Sequence, residues 1–173
     1  GNAQDAVGDT MNRGRIVIHG NCGDAPGYGM RGGKILIKGN VGYRAGIHMK
    51  AYQDAQPVII AGGVAGSFLG EYQAGGKIIV LNLYPSERPI VGFFCGTGMH
   101  GGRMYLRCEK LPGNLPSQVS AAVATAGDID GVRGDIEDFC KEFGGDVEEI
   151  CASRFYVLSP NTSNPYKQMF THA

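Results

Sequence analysis

The sequence has little charge and no excess of either sign. Charged residues make up 18% of the 173 positions, and 16 Lys and Arg balance 16 Asp and Glu. A neutral chain gives no electrostatic reason to bind nucleic acid or an anionic membrane. Glycines and Ser67 break the longest apolar run, Val58 to Gly70, before it reaches the roughly 18 residues of a membrane span. Residues 1–5 also lack a secretory signal pattern, so we expect a cytoplasmic protein without nucleic-acid or membrane partners.

The five cysteines lack the spacing of a disulfide framework or a metal site. They stand at positions 22, 95, 108, 140 and 151, an odd number with no Cys-x-x-Cys pair. We therefore expect structural cysteines in a reducing compartment. Cys95 and His100 could share a metal, but two further ligands are missing nearby in the sequence. No metal-binding residue is predicted.

Glycine, by contrast, is abundant, with 29 residues, too many for a helical bundle. The first 110 residues repeat: Gly-Asn pairs at 1, 20 and 39 and methionines at 11, 30 and 49 both recur every 19 positions. Each repeat ends in a short apolar strand. The predicted strands cover residues 14–20, 33–39, 57–61, 76–81 and 102–107.

Spacings of 19 to 26 residues between these strands predict an all-β fold, a single-stranded parallel β-helix of about five to six coils. A leucine-rich repeat is the rival interpretation, but the leading Leu-x-x-Leu is absent and glycines occupy the place of its helix. Glycine suits sharp turns, where φ is positive. We predict a β-helix over residues 1–110, and a linker, short helices and a tail packed on it over residues 111–173.

Alternation along the strands assigns their side chains to two faces. The predicted inward ladder consists of Ile16/Ile18, Ile35/Ile37, Val58/Ile60, Ile78/Val80 and Met104/Leu106. The opposite face carries a second apolar ladder, Val17, Leu36, Ile59, Ile79 and Tyr105, flanked by a basic ladder, Arg15, Lys34, Lys77 and Arg103. Stacked like charges repel, so this face needs an acidic cover. Residues 128–150, with nine acidic and two basic side chains, are the candidate.

Periodicity also predicts elements after residue 110. Residues 111–116 form a linker rich in helix breakers, and Val119, Ala122, Val123 and Ala126 suggest a short helix. A longer apolar stripe, Val132, Ile136, Phe139 and Phe143, predicts a helix that ends at Gly144-Gly145. A capping sequence at 146–149 predicts another short helix. Residues 155–158 predict a last strand, followed by a tail rich in Pro and Asn.

No motif assembles a catalytic or cofactor site. Two Gly-x-Gly-x-x-Gly strings, at 27–32 and 96–101, lead into strands, whereas a dinucleotide site needs them to open a helix. We interpret both as repeated turns. Ser67 lacks the Gly-x-Ser-x-Gly elbow of a hydrolase. The remaining candidates are interpreted as surface histidines and as carboxylates of a solvated or docked helix face: His19, His48, His100 and His172, and Asp128, Asp130, Asp135, Glu137 and Asp138. We predict no catalytic or cofactor-binding residue.

The repeated pattern Gly-Arg-Ile-Val-Ile-x-Gly-Asn, with residues 39–50 closest, resembles the glycine-rich C-terminal domain of the glutamate synthase large subunit and its stand-alone homologues. Residues 155–160 and Pro165-Tyr166 resemble the tail of the stand-alone homologues. The resemblance implies a right-handed β-helix that packs between glutaminase and FMN-containing synthase parts as a scaffold. It also implies that FMN and iron–sulfur clusters belong to those partners, not to this chain.

Other functions stay open. The glycine-rich component of formylmethanofuran dehydrogenase is similar in its coils and is the alternative scaffold. An independent hydrolase, using Ser67 or a turn histidine, is an alternative of another class. Gly1-Asn2 resembles the end of a coil, so we expect a fragment of a longer polypeptide or a missing first coil. The open end would then be covered by upstream chain, a partner, or a second copy in a homo-oligomer.

Overall fold

The computed structural model describes residues 1–162, which form one seven-stranded sheet with two helices. The strands and helices follow the chain as β1 (Arg15–Ile18), β2 (Lys34–Ile37), β3 (Val58–Ala61), β4 (Ala74–Val80), β5 (Gly101–Arg107), β6 (Val119–Val123), α1 (Ala126–Phe143), α2 (Val147–Ala152) and β7 (Phe155–Pro160). Their order across the sheet is β1-β2-β3-β4-β5-β7-β6.

The five repeated strands pair in parallel and in sequence order, which confirms the strand predictions. Ile16 pairs with Ile35, and Ile78 with Met104, so equivalent residues of the repeats are neighbours. Beyond β5 the sheet continues through β7 and then β6, both antiparallel to their neighbours. The sheet therefore runs from the repeats into the C-terminal part of the chain.

The predicted fold class, a right-handed parallel β-helix, is wrong. The structure has a single mixed sheet with two helices, and this sheet does not close into a solenoid. Between the repeated strands the chain forms turns, linked from repeat to repeat by isolated bridges such as Ala3 with Cys22 and Cys22 with Val41. The repeats therefore supply one strand each to one sheet, and antiparallel β6 and β7 extend that sheet.

The recurring Gly-Asn pair has a direct structural cause in these stacked turns. The side-chain Oδ1 of each asparagine accepts a hydrogen bond from a backbone N–H of the next repeat, as between Asn2 and Asn21 at 2.9 Å and between Asn21 and Asn40 at 2.8 Å. The preceding glycine leaves room for that side chain. A Cβ on Gly39 would lie 2.1 Å from Asn21 Oδ1, which is too close for any side chain.

Apolar side chains form a core on each side of the sheet. The turn-side core lies between the sheet and the stacked turns and includes Ile35, Ile37, Ile78 and Met104. The helix-side core lies between the sheet and the helices; its buried residues include Leu36, Ile60, Ile79, Tyr105, Val132, Ile136 and Phe139. The residues of both apolar ladders expected from the sequence are thus buried, except Ile16 and Val17 of β1, which are only partly buried.

The predicted register is wrong in the third strand. Ile59, not Val58, pairs with Ile35 and Ile78, so Ile59 and Ala61 belong to the turn-side core and Val58 and Ile60 to the helix-side core. A one-residue slip moves every side chain to the other face. The longer connection before β3 hides the register, because Pro57 stands where β4 is preceded by Gly76.

The C-terminal elements agree with the sequence except at β6. Helix α1 starts with a capping box between Thr125 and Asp128 and ends at Gly144, and α2 starts at the N-cap Asp146. Residues 119–123, expected to be helical, instead form β6, because five backbone positions pair with β7. No helix of the described part is both long and apolar enough to cross a bilayer.

Candidate functional site

Helix α1 covers the basic ladder of the sheet, as its charge predicted. Each ladder residue forms an ion pair with a carboxylate of the helix: Arg15 with Glu142 at 2.7 Å, Lys34 with Asp135 at 2.8 Å and Asp138 at 2.5 Å, Lys77 with Asp135 at 2.7 Å, and Arg103 with Asp128 at 3.1 Å. Asp135 is the buried centre of this arrangement, because it bridges two lysines of the sheet. The basic ladder is therefore a docking surface for the chain's own helix.

Three members of these ion pairs, Lys34, Asp138 and Asp128, have a shifted pKa. Burial alone would lower the pKa of Lys34, but the hydrogen bonds to Asp135 and Asp138 outweigh it and raise that pKa. The hydrogen bond from Lys34 lowers the pKa of Asp138. The pKa of Asp128 is lowered mainly by the backbone N–H of Thr125, with Arg103 contributing. The folded chain therefore favours the charged form of these three groups.

The candidate nucleophile Ser67 and the candidate metal ligand Cys95 both have structural partners. The Ser67 hydroxyl accepts a hydrogen bond from the Phe93 backbone N–H at 3.0 Å, and within residues 1–162 no histidine is hydrogen-bonded to it. Cys95 is buried, and desolvation raises the pKa of its thiol to about 12, so it stays protonated at neutral pH. Its Sγ contacts Met104 Sδ at 3.9 Å in the turn-side core.

The two glycine strings form turns, as predicted. Gly27, Gly29, Gly96 and Gly98 have positive φ, and the chain then enters β2 and β5 rather than a helix. These residues do not fit a dinucleotide phosphate, which needs a helix N-terminus. Likewise, no group of three or more His, Cys, Asp or Glu side chains suited to a metal occurs among the residues that the structure describes.

The structure separates the histidines into two locations. His19 packs edge-on against Phe143 of α1, with ring centroids 5.2 Å apart. His48 and His100 are exposed and line the same cavity of about 320 Å³ on the stacked turns. His48 also stacks on Tyr72 at 5.0 Å. His172 lies outside the described residues.

An aromatic patch on another row of turns has the character of an interaction surface. It consists of Phe68, Phe93 and Phe94, and Phe93 is 65% exposed. Phe68 stacks on Phe94 at 5.0 Å, and Phe94 contacts Phe93 at 6.4 Å. Large aromatic rings left in water are costly and mark protein interfaces. We take this aromatic patch as the candidate functional site.

Sequence reasoning missed the aromatic patch because its members are far apart in the chain. The dipeptide Phe93-Phe94 lies in the turn after the irregular segment 82–91, outside any predicted strand. The backbone N–H of Phe68 donates to the Phe93 carbonyl at 2.8 Å, which brings two repeats into contact. Alignment of the turns, rather than only the strands, would have placed Phe68 beside Phe94.

A glycine-rich repeat domain built on a mixed sheet is thus the class that fold and surface define. The chain belongs to the GXGXG motif family, which matches residues 1–161. This motif is found in the C-terminal domain of glutamate synthase, so the chain is a glutamate synthase-related domain. The resemblance noted in the repeats is thereby confirmed.

One relative covers nearly the whole chain. An uncharacterized protein of Methanocaldococcus jannaschii is 44% identical over 177 aligned residues, which span 99% of this chain and 68% of the relative. The relative is therefore longer than this sequence. Its description names no substrate, cofactor or partner.

Proposed function

We propose that this chain is a non-catalytic scaffold of a glutamate-synthase-type oxidoreductase, packed between its glutaminase and FMN-containing synthase parts. The observation that carries the proposal is the aromatic patch, whose rings Phe93 and Phe94 are 65% and 54% exposed. Domains of the GXGXG family occur in glutamate synthase-like enzymes with several domains or subunits. Such an assembly supplies a partner surface that would cover these rings.

The chemistry in this proposal belongs to the partner parts. Glutamine hydrolysis, FMN and iron–sulfur clusters are assigned to them, because the glycine strings of this chain enter strands and Ser67 bonds to backbone. The contribution of this chain is rigidity: a sheet with a core on both faces presents the aromatic patch at fixed geometry.

The test is co-purification of the tagged chain from cells that contain the natural complex, followed by identification of the bound polypeptides. We expect glutaminase and FMN-synthase polypeptides with the unchanged chain. Phe93→Ser should lose them, because that ring, at 65%, is the most exposed of the patch. Tyr52→Ser is the matched control, since Tyr52 is 54% exposed but lies outside the patch.

Two results would contradict the proposal. Recovery of formylmethanofuran dehydrogenase polypeptides in place of glutamate-synthase polypeptides would move the scaffold to that other complex. Turnover of an ester or amide by the purified chain alone, abolished by Ser67→Ala, would replace the scaffold by a hydrolase.

A further inference from the structure

Two rows of basic side chains run across the repeats, and only one of them has carboxylate partners. The row on the sheet is paired with α1. The row on the turns includes Arg31 and Lys50, which are both exposed. Neither forms an ion pair with any residue from 1 to 162. The positive charge of the second row therefore has no carboxylate partner within residues 1–162.

Arg31 and Lys50 occupy equivalent positions in consecutive repeats. The backbone N–H of Arg31 donates to the Met11 carbonyl at 2.8 Å, and that of Lys50 donates to the Met30 carbonyl at 3.0 Å. Ala74 holds the next position of this row, since its N–H donates to the Met49 carbonyl at 2.8 Å, and His100 follows, with its N–H donating to the Gln73 carbonyl at 2.9 Å. Because stacked chains lie roughly 4.8 Å apart, neighbouring cations on such a row repel each other.

A second row, which contains the rings of His48 and Tyr72, lies on the other side of the cavity from this basic row. Its members follow Thr10, Gly29, His48 and Tyr72 in successive repeats, as the backbone hydrogen bonds between their turns establish. His48 stacks on Tyr72 at 5.0 Å, and Tyr28 meets His48 edge-on at 5.9 Å. Tyrosine, histidine, lysine and arginine side chains all offer N–H or O–H donors.

The resulting cavity, which we call the basic groove, has a volume of about 320 Å³. Its lining includes Arg31, Lys50, His48, His100, Tyr28 and Tyr72, and none of the lining residues carries a carboxylate. This volume lies within the range of small-molecule sites. We propose that the basic groove binds a small oxyanion through a phosphate or carboxylate group. The anion offsets the repulsion within the basic row and accepts hydrogen bonds from Arg31 and Lys50.

Gly29 gives the groove its free space. A Cβ on Gly29 would approach only Thr10 Cγ2, at 3.8 Å. Its φ of 58° is left-handed, but Thr10, His48 and Tyr72 hold the equivalent position with φ of 53° to 55°. Asparagine tolerates this conformation better than most residues, so Gly29→Asn should fold and place a side chain in the groove.

The first experiment follows the imidazole NMR signals of the full chain at constant pH and ionic strength. One arm adds sodium phosphate, a second adds sodium succinate, and a third adds sodium chloride as control. We expect saturable shifts of the His48 and His100 signals with phosphate or succinate and none with chloride. The arm that saturates identifies the oxyanion. His19, which packs on Phe143, is the internal reference and should not move.

The second experiment repeats the titration on variants. Arg31→Ala and Lys50→Ala should each weaken binding about tenfold, the loss expected for a charge-assisted hydrogen bond. Arg88→Ala, at an exposed cation outside the groove, should change it by less than about twofold. Gly29→Asn should abolish binding at an unchanged thermal midpoint. If Gly29→Asn does not fold, the binding measurements on Arg31→Ala and Lys50→Ala test the proposal.

The proposal is overturned by an absence of saturable shifts in both oxyanion arms. Equal shifts at His19, or unchanged binding in Arg31→Ala and Lys50→Ala, would overturn it as well. The proposal does not depend on the scaffold function, since it uses none of the residues of the aromatic patch.

Discussion

Asn40 is a single residue that connects two repeats. Its Oδ1 accepts a hydrogen bond at 2.9 Å from the backbone N–H of Val64, which is buried. A buried donor that loses its partner costs more than the bond contributes. Side chains at such positions therefore stabilise the stack although they are themselves polar.

We predict that Asn40→Ala lowers the free energy of unfolding by about 1–3 kcal/mol, because the Val64 N–H loses its acceptor. Asn40→Asp replaces the amide oxygen by a carboxylate oxygen at the same place, so the free energy of unfolding should fall by less than about 1 kcal/mol. Urea denaturation of the three proteins measures both changes. Equal losses for Ala and Asp would show that the acceptor is not what matters.

Ile37 and Lys38 are neighbours in sequence with opposite environments. Ile37 is fully buried in the turn-side core, whereas Lys38 is exposed. Ile37→Asp should destabilise by several kcal/mol, since an unpaired carboxylate is desolvated there. Lys38→Asp should cost at most about 1 kcal/mol. Similar denaturation midpoints for the two variants would contradict the register of β2.

At the scale of elements, α1 is held to the sheet by charge as well as by its apolar face. Its buried residues Val132, Ile136 and Phe139 pack on the sheet, while Asp135, on the same helix, bridges Lys34 and Lys77. The stability of this contact should therefore depend on pH at both extremes.

The native pKa of Asp138 is lowered by Lys34, so its stabilisation is present above its ordinary value of 3.8 and is lost as pH falls through the native pKa. The pKa of Lys34 is raised, so its stabilisation is present below its ordinary value of 10.5 and is lost as pH rises through the native pKa. In a plot of the urea denaturation midpoint against pH, we call the fall of the midpoint below neutral pH the acid limb. We predict that Asp138→Asn makes this acid limb less steep.

Asp130→Asn is the matched control for this profile, because Asp130 lies on the same helix, is exposed and has no ion pair within the described range. It should leave the acid limb unchanged. Identical profiles for Asp138→Asn and Asp130→Asn would mean that the net charge of the chain, not the contact of Asp138 with Lys34, causes the loss of stability in acid.

The helices and strands also show which parts of the fold could be predicted from the sequence alone. The α1 stripe of Val132, Ile136 and Phe139 repeats at helical spacing over several turns, so it predicted both the helix and its buried face. Val119–Val123 was too short for periodicity to separate helix from strand, and its pairing with distant β7 decided the outcome. The side-by-side position of Phe68 and Phe94 likewise depends on how repeats of unequal length stack.

At the scale of the whole molecule, the ends of the sheet differ from its middle. Within the described residues β1 pairs only with β2, whereas β3 pairs with both β2 and β4. Ile16 and Val17 are correspondingly only partly buried. An edge strand with apolar side chains is a site where another chain can add.

We predict that backbone amides of β1 exchange with solvent faster than those of β3, because β1 has one neighbouring strand and β3 has two. Hydrogen exchange at low protein concentration measures this difference. Equal protection of β1 and β3 would mean that β1 is covered in solution, and a rise in protection with concentration would identify a second copy as the cover.

The hydrogen bonds between asparagines and the following repeat all point the same way along the stack. Each of the first three repeats presents an asparagine acceptor to its successor, so these three repeats share one kind of connection. A duplicated or deleted 19-residue segment within these three repeats would leave the remaining asparagine hydrogen bonds matched. Such a stack can change its length during evolution by whole repeats without altering the connection between one repeat and the next.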